Sequence, residues 1–415
     1  MKTTILHITD LHFTSSREET PCIVKDGEIS DEFGKEVIGL NIWERFIADI
    51  RYLCADIPID VIACTGDLGC DGEEESLAFG IQYLAELAKD LEVPSQQVVV
   101  SPGNHDLSRE VQSGEELNEF CKLCKNEGFM FAERSNPAVL SVNNIPIIAL
   151  NTCLGGTEHA LHGLPKGFWE AELDSLRKRE ADGNIGRLVT QLRSDLEYQV
   201  QAMDIPAVGF DQINSCCDAL LGNVGNCAVV LMHHNPLPTS NINIRPYANL
   251  IDSGPLLLRL MSNGRHVVIL HGHTHSESGL SVHMHQEDKG GFIASIGSKG
   301  FSVKSDAVAS LAKIITTART DFIKLDVYFI RGNATIFQKY FQYSLSARSV
   351  IPFKPDWDLN KLSVNRQLTF DEVSQLVDKA PDDSLEEDLV QLEPTFVKIS
   401  SEELSRDYWL ITRVR

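Results

Sequence analysis

Apolar and polar positions alternate along this chain with two different periods, and the periods predict its elements. Thr4 to Ile8 is a short apolar run that reads as a buried strand. Phe13 to about Gly39 is polar and punctuated by glycine, so a long loop follows. Ile42, Phe46, Ile50 and Leu53 recur at helical spacing, Pro58 breaks the pattern, and Asp60 to Thr65 supplies a second apolar strand. That is a βαβ unit. Helical periodicity from about Glu74 to Leu91 leads to a strand at Gln97 to Ser101, closed by Pro102 and Gly103. Strands alternating with helices predict a mostly parallel inner sheet.

Further along, a polar helix is expected near Gly114 to Asn126, then a hairpin of Ala138 to Val142 and Pro146 to Leu150 across Asn143 and Asn144. Residues 151–186 read as an insertion. Helical patterns at Leu188 to Met203 and Phe210 to Leu221 precede a strand at Cys227 to Met232, and one at Tyr247 to Met261 precedes His266 to Leu270. From Leu280 to Phe341 the period changes to two, as in Phe322 to Ile330 and Ala334 to Tyr340 around Gly332 and Asn333. These are expected to be antiparallel strands closing a second sheet against the first. The expected division is a body of residues 1–353 and a separate extension of residues 354–415, in which Phe370 to Leu392 supplies a helix or two and Tyr408 to Val414 a strand.

Composition narrows the classes of function. The 415 residues are 43% hydrophobic and 23% charged, enough for a large core. Lys+Arg 37 against Asp+Glu 59 leaves a net charge of −22, which repels phosphate polyanions at long range and argues against unaided nucleic-acid binding. No run approaches the roughly 18 apolar residues of a membrane span. Met1 to Asp10 is too short and too interrupted for a signal-peptide core, so a cytoplasmic location with reduced thiols is expected for the 10 cysteines. The extension counts 14 acidic residues against 7 basic ones from Asp356 onward. Its simplest reading is a solvated flank, while its length and mixed hydrophobics also suit the docking of a protein partner.

Candidate chemistry gathers at the carboxyl ends of the predicted strands, where open α/β sheets place their sites. The first ends in Asp10-Leu11-His12, the second in Gly66-Asp67, and the third in Gly103-Asn104-His105-Asp106. The fourth ends in His233-His234, and the fifth runs into His271-Gly272-His273-Thr274-His275. The alternate spacing of Asp10/His12 and His273/His275 would put both members of each pair on one side of an extended segment. Carboxylate, imidazole and amide suit Mn, Fe or Zn without any thiolate. A carboxylate at Asp67 could bridge two ions, and a pair of ions can polarise a phosphoryl oxygen and generate hydroxide at neutral pH.

These five ordered motifs resemble those of the calcineurin-like metallophosphoesterases over about residues 4 to 276. The resemblance implies a four-layer α/β/β/α sandwich and two divalent cations, with manganese favoured. Carried over by position, one cation would take Asp10, His12, Asp67 and His275, and the other Asp67, Asn104, His233 and His273. His105 would be the proton donor or phosphate anchor. Either histidine of the His233-His234 doublet could face a cation; family habit favours His233. One position departs from the pattern: some members carry a carboxylate three residues after the bridging aspartate, where this chain has Cys70 followed by Asp71.

In motif style the chain is similar to class III cyclic-nucleotide phosphodiesterases, which implies a small nucleotide or related phosphodiester as substrate. A nuclease of the SbcD-like type is the alternative, and it would need a partner protein to supply a basic groove for nucleic acid. A non-catalytic scaffold is the third reading, disfavoured because every ligand position is filled. His271 reads as a packing or supporting residue. His159 and His162 have a spacing suited to a cation or phosphate, but an exposed loop is the simpler reading. Cys121 and Cys124 mimic a zinc pair, yet a helical setting without a second pair makes them partly buried thiols. Lys299 could touch phosphate, although a lone lysine near a turn is usually solvated.

Overall fold

The computed structural model describes residues 2–13, 24–25, 28–29, 38–55, 57–70, 72–108, 115–154, 175, 178, 206–222, 227–237, 249–262, 265–286, 289–301, 307–316, 323–333, 335–347, 357–381, 383–392, 397–400 and 410–413. Its first sheet is built on β1 (Lys2–Ile8), flanked on one side by β4 (Val61–Cys64), β5 (Val98–Val100) and β6 (Met130–Phe131), all parallel. On its other side lie β13 (Ala307–Thr316), β14 (Ile323–Gly332) and β15 (Phe337–Ala347), all antiparallel. The second sheet runs β11 (Ser278–Gln286), β12 (Lys289–Gly297), β10 (His266–His271), β9 (Cys227–Leu231), β8 (Ile145–Ala149) and β7 (Ala138–Val142). A two-residue ribbon of β2 (Val24–Lys25) and β3 (Glu28–Ile29) stands apart from both.

Alternation along the strands sorts the side chains into layers. Leu6 and Ile8 of β1, with Ile62 and Cys64 of β4, face α1 (Ile38–Leu53), α2 (Glu74–Asp90) and α3 (Asn118–Glu127). Ile5, Val61 and Ala63 point the other way and meet Val229, Leu231, Val268 and Leu270 of the second sheet. The opposite faces of β9 and β10, through Val230 and Ile269, are covered by α4 (Phe210–Gly222) and α5 (Ser253–Ser262). Three stacked cores make the α/β/β/α sandwich.

The period-two region is divided differently from the expectation. β11 and β12 join the second sheet, with β12 parallel to β10, whereas β13 to β15 extend the first sheet through β1. Alternation fixes which face of a strand is buried but not its neighbour, and both sheets had an open edge. The hairpin forms as expected, with Asn143 and Asn144 both at positive φ in the turn. α5 starts at Ser253, later than its apolar pattern, because the N–H groups of Leu250 and Ile251 donate to Asn235 O and Pro206 O at 3.0 and 2.9 Å instead of along a helix. The helix expected at Leu188 to Met203 and nearly all of the insertion, including His159 and His162, lie outside the described residues.

Residues after 356 form a fourth core. β16 (Gln367–Thr369), β18 (Leu410–Arg413) and β17 (Val397–Ser400) make a small antiparallel sheet covered by α6 (Phe370–Val377) and α7 (Asp383–Leu392). Thr369 and Glu372 close a capping box on α6. This core includes Ile315 of β13, and Lys313 of the same strand meets Glu386 of α7 at 3.4 Å, both buried. Lys313 pairs with Thr4 in the β1 register, so the extension docks about 20 Å along the strand from Asp10, remote from the candidate site. The acidic stretch is also partly structural: Asp388 accepts hydrogen bonds from Trp357 Nε1 and Lys379 Nζ.

Among the described residues no helix is long and apolar enough to cross a membrane, and all nine cysteines are free thiols. Burial pushes the Cys121 thiol up to about 11 and raises Cys124 well above the ordinary thiol range, which keeps both protonated at neutral pH.

Candidate metal centre

The carboxyl ends of β1, β4, β5, β9 and β10 converge on one spot. The β1–β4 ladder continues past both strands: Asp10 N–H donates to Gly66 O at 3.0 Å, His12 N–H to Asp67 O at 2.9 Å and Phe13 N–H to Leu68 O at 3.0 Å. Asp67 Oδ2 lies 3.6 Å from His12 Nε2 and 3.2 Å from His233 Nε2, so one carboxylate faces imidazoles from two directions. On the first side, Asp10 Oδ1 stands 3.8 Å from His12 Nε2 and 3.7 Å from His275 Nε2. On the second, Asn104 Oδ1 is 3.0 Å from His233 Nε2, and a ligand nitrogen of His273 groups within 4.8 Å of those of His233 and His234. All eight residues named from the sequence therefore meet here, with His105 stacked edge-on against His12 at 4.8 Å.

The backbone differs from the extended segments expected for the spaced pairs. Asp10, His12, Asp67, His273 and His275 all adopt positive φ, between 45° and 65°. Each such residue costs about 1 to 3 kcal/mol and persists only where the surroundings over-determine it. Here the surroundings are the continued β1–β4 ladder, the Asp10 carboxylate accepting from His273 N–H at 3.2 Å, and Gly272 N–H donating to His233 O at 3.0 Å. Five strained candidate positions in one pocket mark this spot as the candidate centre.

Two observations test whether cations fit. Both ring nitrogens of His12 are buried without a hydrogen-bond partner, although the ring is only 2% exposed. Such a group is costly in a protein interior unless something binds it. At His233, Nδ1 faces Thr65 O at 2.7 Å and must donate to that carbonyl; Nε2 then faces two more oxygens, on Asp67 and Asn104. Nε2 accordingly requires a positive partner, a proton or a metal ion. Burial opposes a charged imidazole, yet the Asp67 carboxylate lifts His233 to about 10. Burial also opposes ionisation of Asp67, but His233, His105 and His12 hold it well below the usual carboxylate range. Asp10 is held low as well, against burial, by His275 and His12. The donor set fits two divalent cations sharing Asp67: Asp10, His12 and His275 on one side, Asn104, His233 and His273 on the other.

The supporting residues were less visible in the sequence. Asp106 was part of the third motif without a role; its buried carboxylate accepts from the backbone N–H of Asp67, Leu68, Gly69 and Gly103 at 2.8 to 3.1 Å. Burial and the Asp67 carboxylate push Asp106 up to about 6. A Cβ on Gly103 would enter the space of Asp67 Oδ1, so the two motif glycine-acid turns interlock. Gly300, at φ +74°, lies against Asp10, where a Cβ would come to 2.5 Å of the Asp10 Cβ, and Phe301 N–H donates to Asp10 O at 3.0 Å. The segment singled out for Lys299 thus contributes its neighbour. His234 Nδ1 bonds Thr152 Oγ1 at 2.9 Å and its ring packs on His273 at 4.3 Å, beside the second cation position. His271 is buried against Gly297, and burial lowers it to about 4, a neutral packing imidazole as expected. Asp71, the carboxylate near the departed position, lies outside the described residues, and Cys70 is buried with its N–H on Ser76 Oγ.

A family model described as calcineurin-like phosphoesterase matches residues 3–277. No curated protein matches the chain in sequence. Among solved structures, a putative 5'-nucleotidase from Staphylococcus aureus in complex with alpha-ketoglutarate is 10% identical, with 86% of this chain and 56% of that one covered at a TM-score of 0.36. Sulfate thiohydrolase SoxB of Thermus thermophilus in complex with glycerol is 10% identical, with 74% and 53% covered at 0.34. Vps29 of Chaetomium thermophilum is 12% identical, with 85% and 98% covered at 0.31. The chain spans about half the length of the first two.

Proposed function

The chain belongs to the calcineurin-like phosphoesterases, and from that premise we propose that it is a two-cation phosphodiesterase acting on a nucleotide or related small phosphodiester. One observation carries the reading: a single buried carboxylate, Asp67, faces His12 on one side and His233 on the other. Bound there, divalent cations would supply Lewis acidity toward a phosphoryl oxygen and lower the pKa of a water to near neutrality.

The chain's own residues do the rest. Asp10, His12 and His275 would hold one cation, and Asn104, His233 and His273 the other, with manganese the favoured ion. His233 is the ligand of the doublet because its Nδ1 is spent on Thr65 O, which fixes the tautomer and aims Nε2 at Asp67. His105 stands at the partly exposed rim, its backbone N–H on Asp67 Oδ1 at 2.9 Å, its ring placed to give a proton to the leaving oxygen or to anchor the phosphate. The net charge of −22 favours a small monoanionic ester over a long polyanion, and a cytoplasmic location belongs to the same reading. The boundary at about residue 353 also belongs to it, supported by the extension's own small sheet and helices, whose core takes in Ile315 of β13 alone from the body's buried apolar residues.

A substrate panel tests the proposal: bis-p-nitrophenyl phosphate, p-nitrophenyl phosphate, cyclic nucleotides and labelled single-stranded DNA, each with Mn, Fe and Zn. Diester hydrolysis that a chelator abolishes is expected. Preference for the monoester, or no diester turnover with any metal, would overturn it.

A further inference from the structure

The metal loop that ends in His275 is pinned unevenly. Its first half is held at the centre itself, by Gly272 N–H on His233 O and His273 N–H on the Asp10 carboxylate. Its second half runs through His275, at φ +45°, and Thr274 and Ser276, whose hydroxyls bond each other at 2.9 Å. Immediately afterwards comes Glu277, before β11 begins at Ser278.

Glu277 reaches across to the first sheet. Its carboxylate accepts from Arg331 Nε at 3.0 and 2.9 Å and, through Oε2, from Arg331 Nη2. Arg331 is on β14, and its guanidinium lies 5.4 Å from the Tyr340 ring centroid and 5.6 Å from that of Phe329. A planar fork seated on two aromatic rings has few alternative positions, which makes it a geometric clamp as well as a charge. Its strand is registered to the centre too: Arg331 pairs with Val308, Val308 exchanges hydrogen bonds with Gly300, and Gly300 lies against Asp10. One end of the clamp thus follows His275 by two residues, while the other is tied through β13 to the strand end that carries Asp10.

We propose that the Arg331–Glu277 pair is a positioning device that joins the two sheets beside the centre and holds His275 in its strained conformation toward Asp10. It rests on the two-cation reading of the preceding subsection. Neither residue belongs to the groups that could hold a cation, and both ends lead to the side of Asp10 and His275, so removal of the pair should loosen one cation position and spare the other.

The test uses the metal-free full-length chain titrated with Mn²⁺, counting the free ion by electron paramagnetic resonance. Wild type is expected to bind two ions. Arg331→Met keeps the apolar stem on Tyr340 and removes the fork; one binding step should weaken by about tenfold, as for lost supporting contacts elsewhere, with the other within about twofold. Glu277→Gln removes the charge from the other end, serves should Arg331→Met not fold, and should weaken the same step. Equal weakening of both steps, as general destabilisation would cause, overturns the proposal, and so does no weakening of either. A wild-type chain that binds no Mn²⁺ removes the two-cation reading and the clamp with it; two ions bound identically by all three chains removes the clamp alone.

Discussion

The carboxylate of Asp106 accepts the backbone N–H of Asp67 at 2.9 Å, so one acidic residue fixes the peptide from which another reaches the centre. The same carboxylate holds Leu68, Gly69 and Gly103, four donors in all, across 37 residues or more for three of them. Asp106→Asn keeps the shape but points an amide NH₂ at N–H donors that need an acceptor. Leaving buried donors unsatisfied costs about 1 to 3 kcal/mol each. The variant is therefore expected to lose about 2 kcal/mol or more of stability and to bind Mn²⁺ more weakly at both positions. Urea denaturation and metal titration check this; wild-type values for both would refute it.

His105 and Asp67 separate proton transfer from metal binding. His105→Ala should keep full metal content while turnover falls by about 10² to 10⁴. Asp67→Asn should lose both, because the carboxylate shared by the two imidazole sets becomes a neutral amide. Elemental analysis beside a diester assay distinguishes them, and a parallel loss of metal and rate in His105→Ala would show that His105 is a ligand instead.

Much of this candidate centre was legible because its residues follow strand ends, and strand ends are readable from apolar runs such as Thr4 to Ile8 and Cys227 to Met232. The conformation of the ligands was not. Asp10 and His12 looked like alternate positions of an extended segment, whereas both are left-handed, a state that only the surrounding hydrogen bonds impose. β13 also looked like part of a second sheet, because alternation fixes the faces of a strand and leaves its neighbours open. Lys313 was unreadable for another reason: a lysine in a strand normally signals solvent, and its burial depends on a partner 73 residues away.

Gly300 shows how a residue outside the ligand set shapes it. At φ +74° and in contact with Asp10, the position admits no side chain without moving Asp10 or the strand end beneath it. Gly300→Ala is expected to lower Mn²⁺ affinity by about tenfold at the position shared by Asp10, His12 and His275, as displaced supporting contacts do. Isothermal titration with Mn²⁺ measures it. Unaltered affinity in a folded variant would mean that the backbone relaxes without carrying Asp10 along.

The buried pair Lys313–Glu386 makes the stability of the docked extension depend on pH. Burial lowers Lys313 from its ordinary 10.5 to about 8, with Glu386 opposing the shift. Below pH 8 the lysine is protonated in both folded and unfolded chains, and the folded chain bears the full cost of a charge at 1% exposure. Between about 8 and 10.5 the folded chain has released a proton that the unfolded chain still holds, so stability rises with pH across that window. Above it the penalty is gone. Removing Lys313 alone would strand Glu386, so the comparison is with Lys313→Met/Glu386→Leu, since apolar replacement of a whole buried pair is often neutral or stabilising. Relative to that double variant, wild type should gain about 2 to 3 kcal/mol between pH 7.5 and pH 10.5. Denaturant unfolding at several pH values measures the difference, and a flat one would mean that Lys313 keeps its ordinary affinity for protons inside the fold.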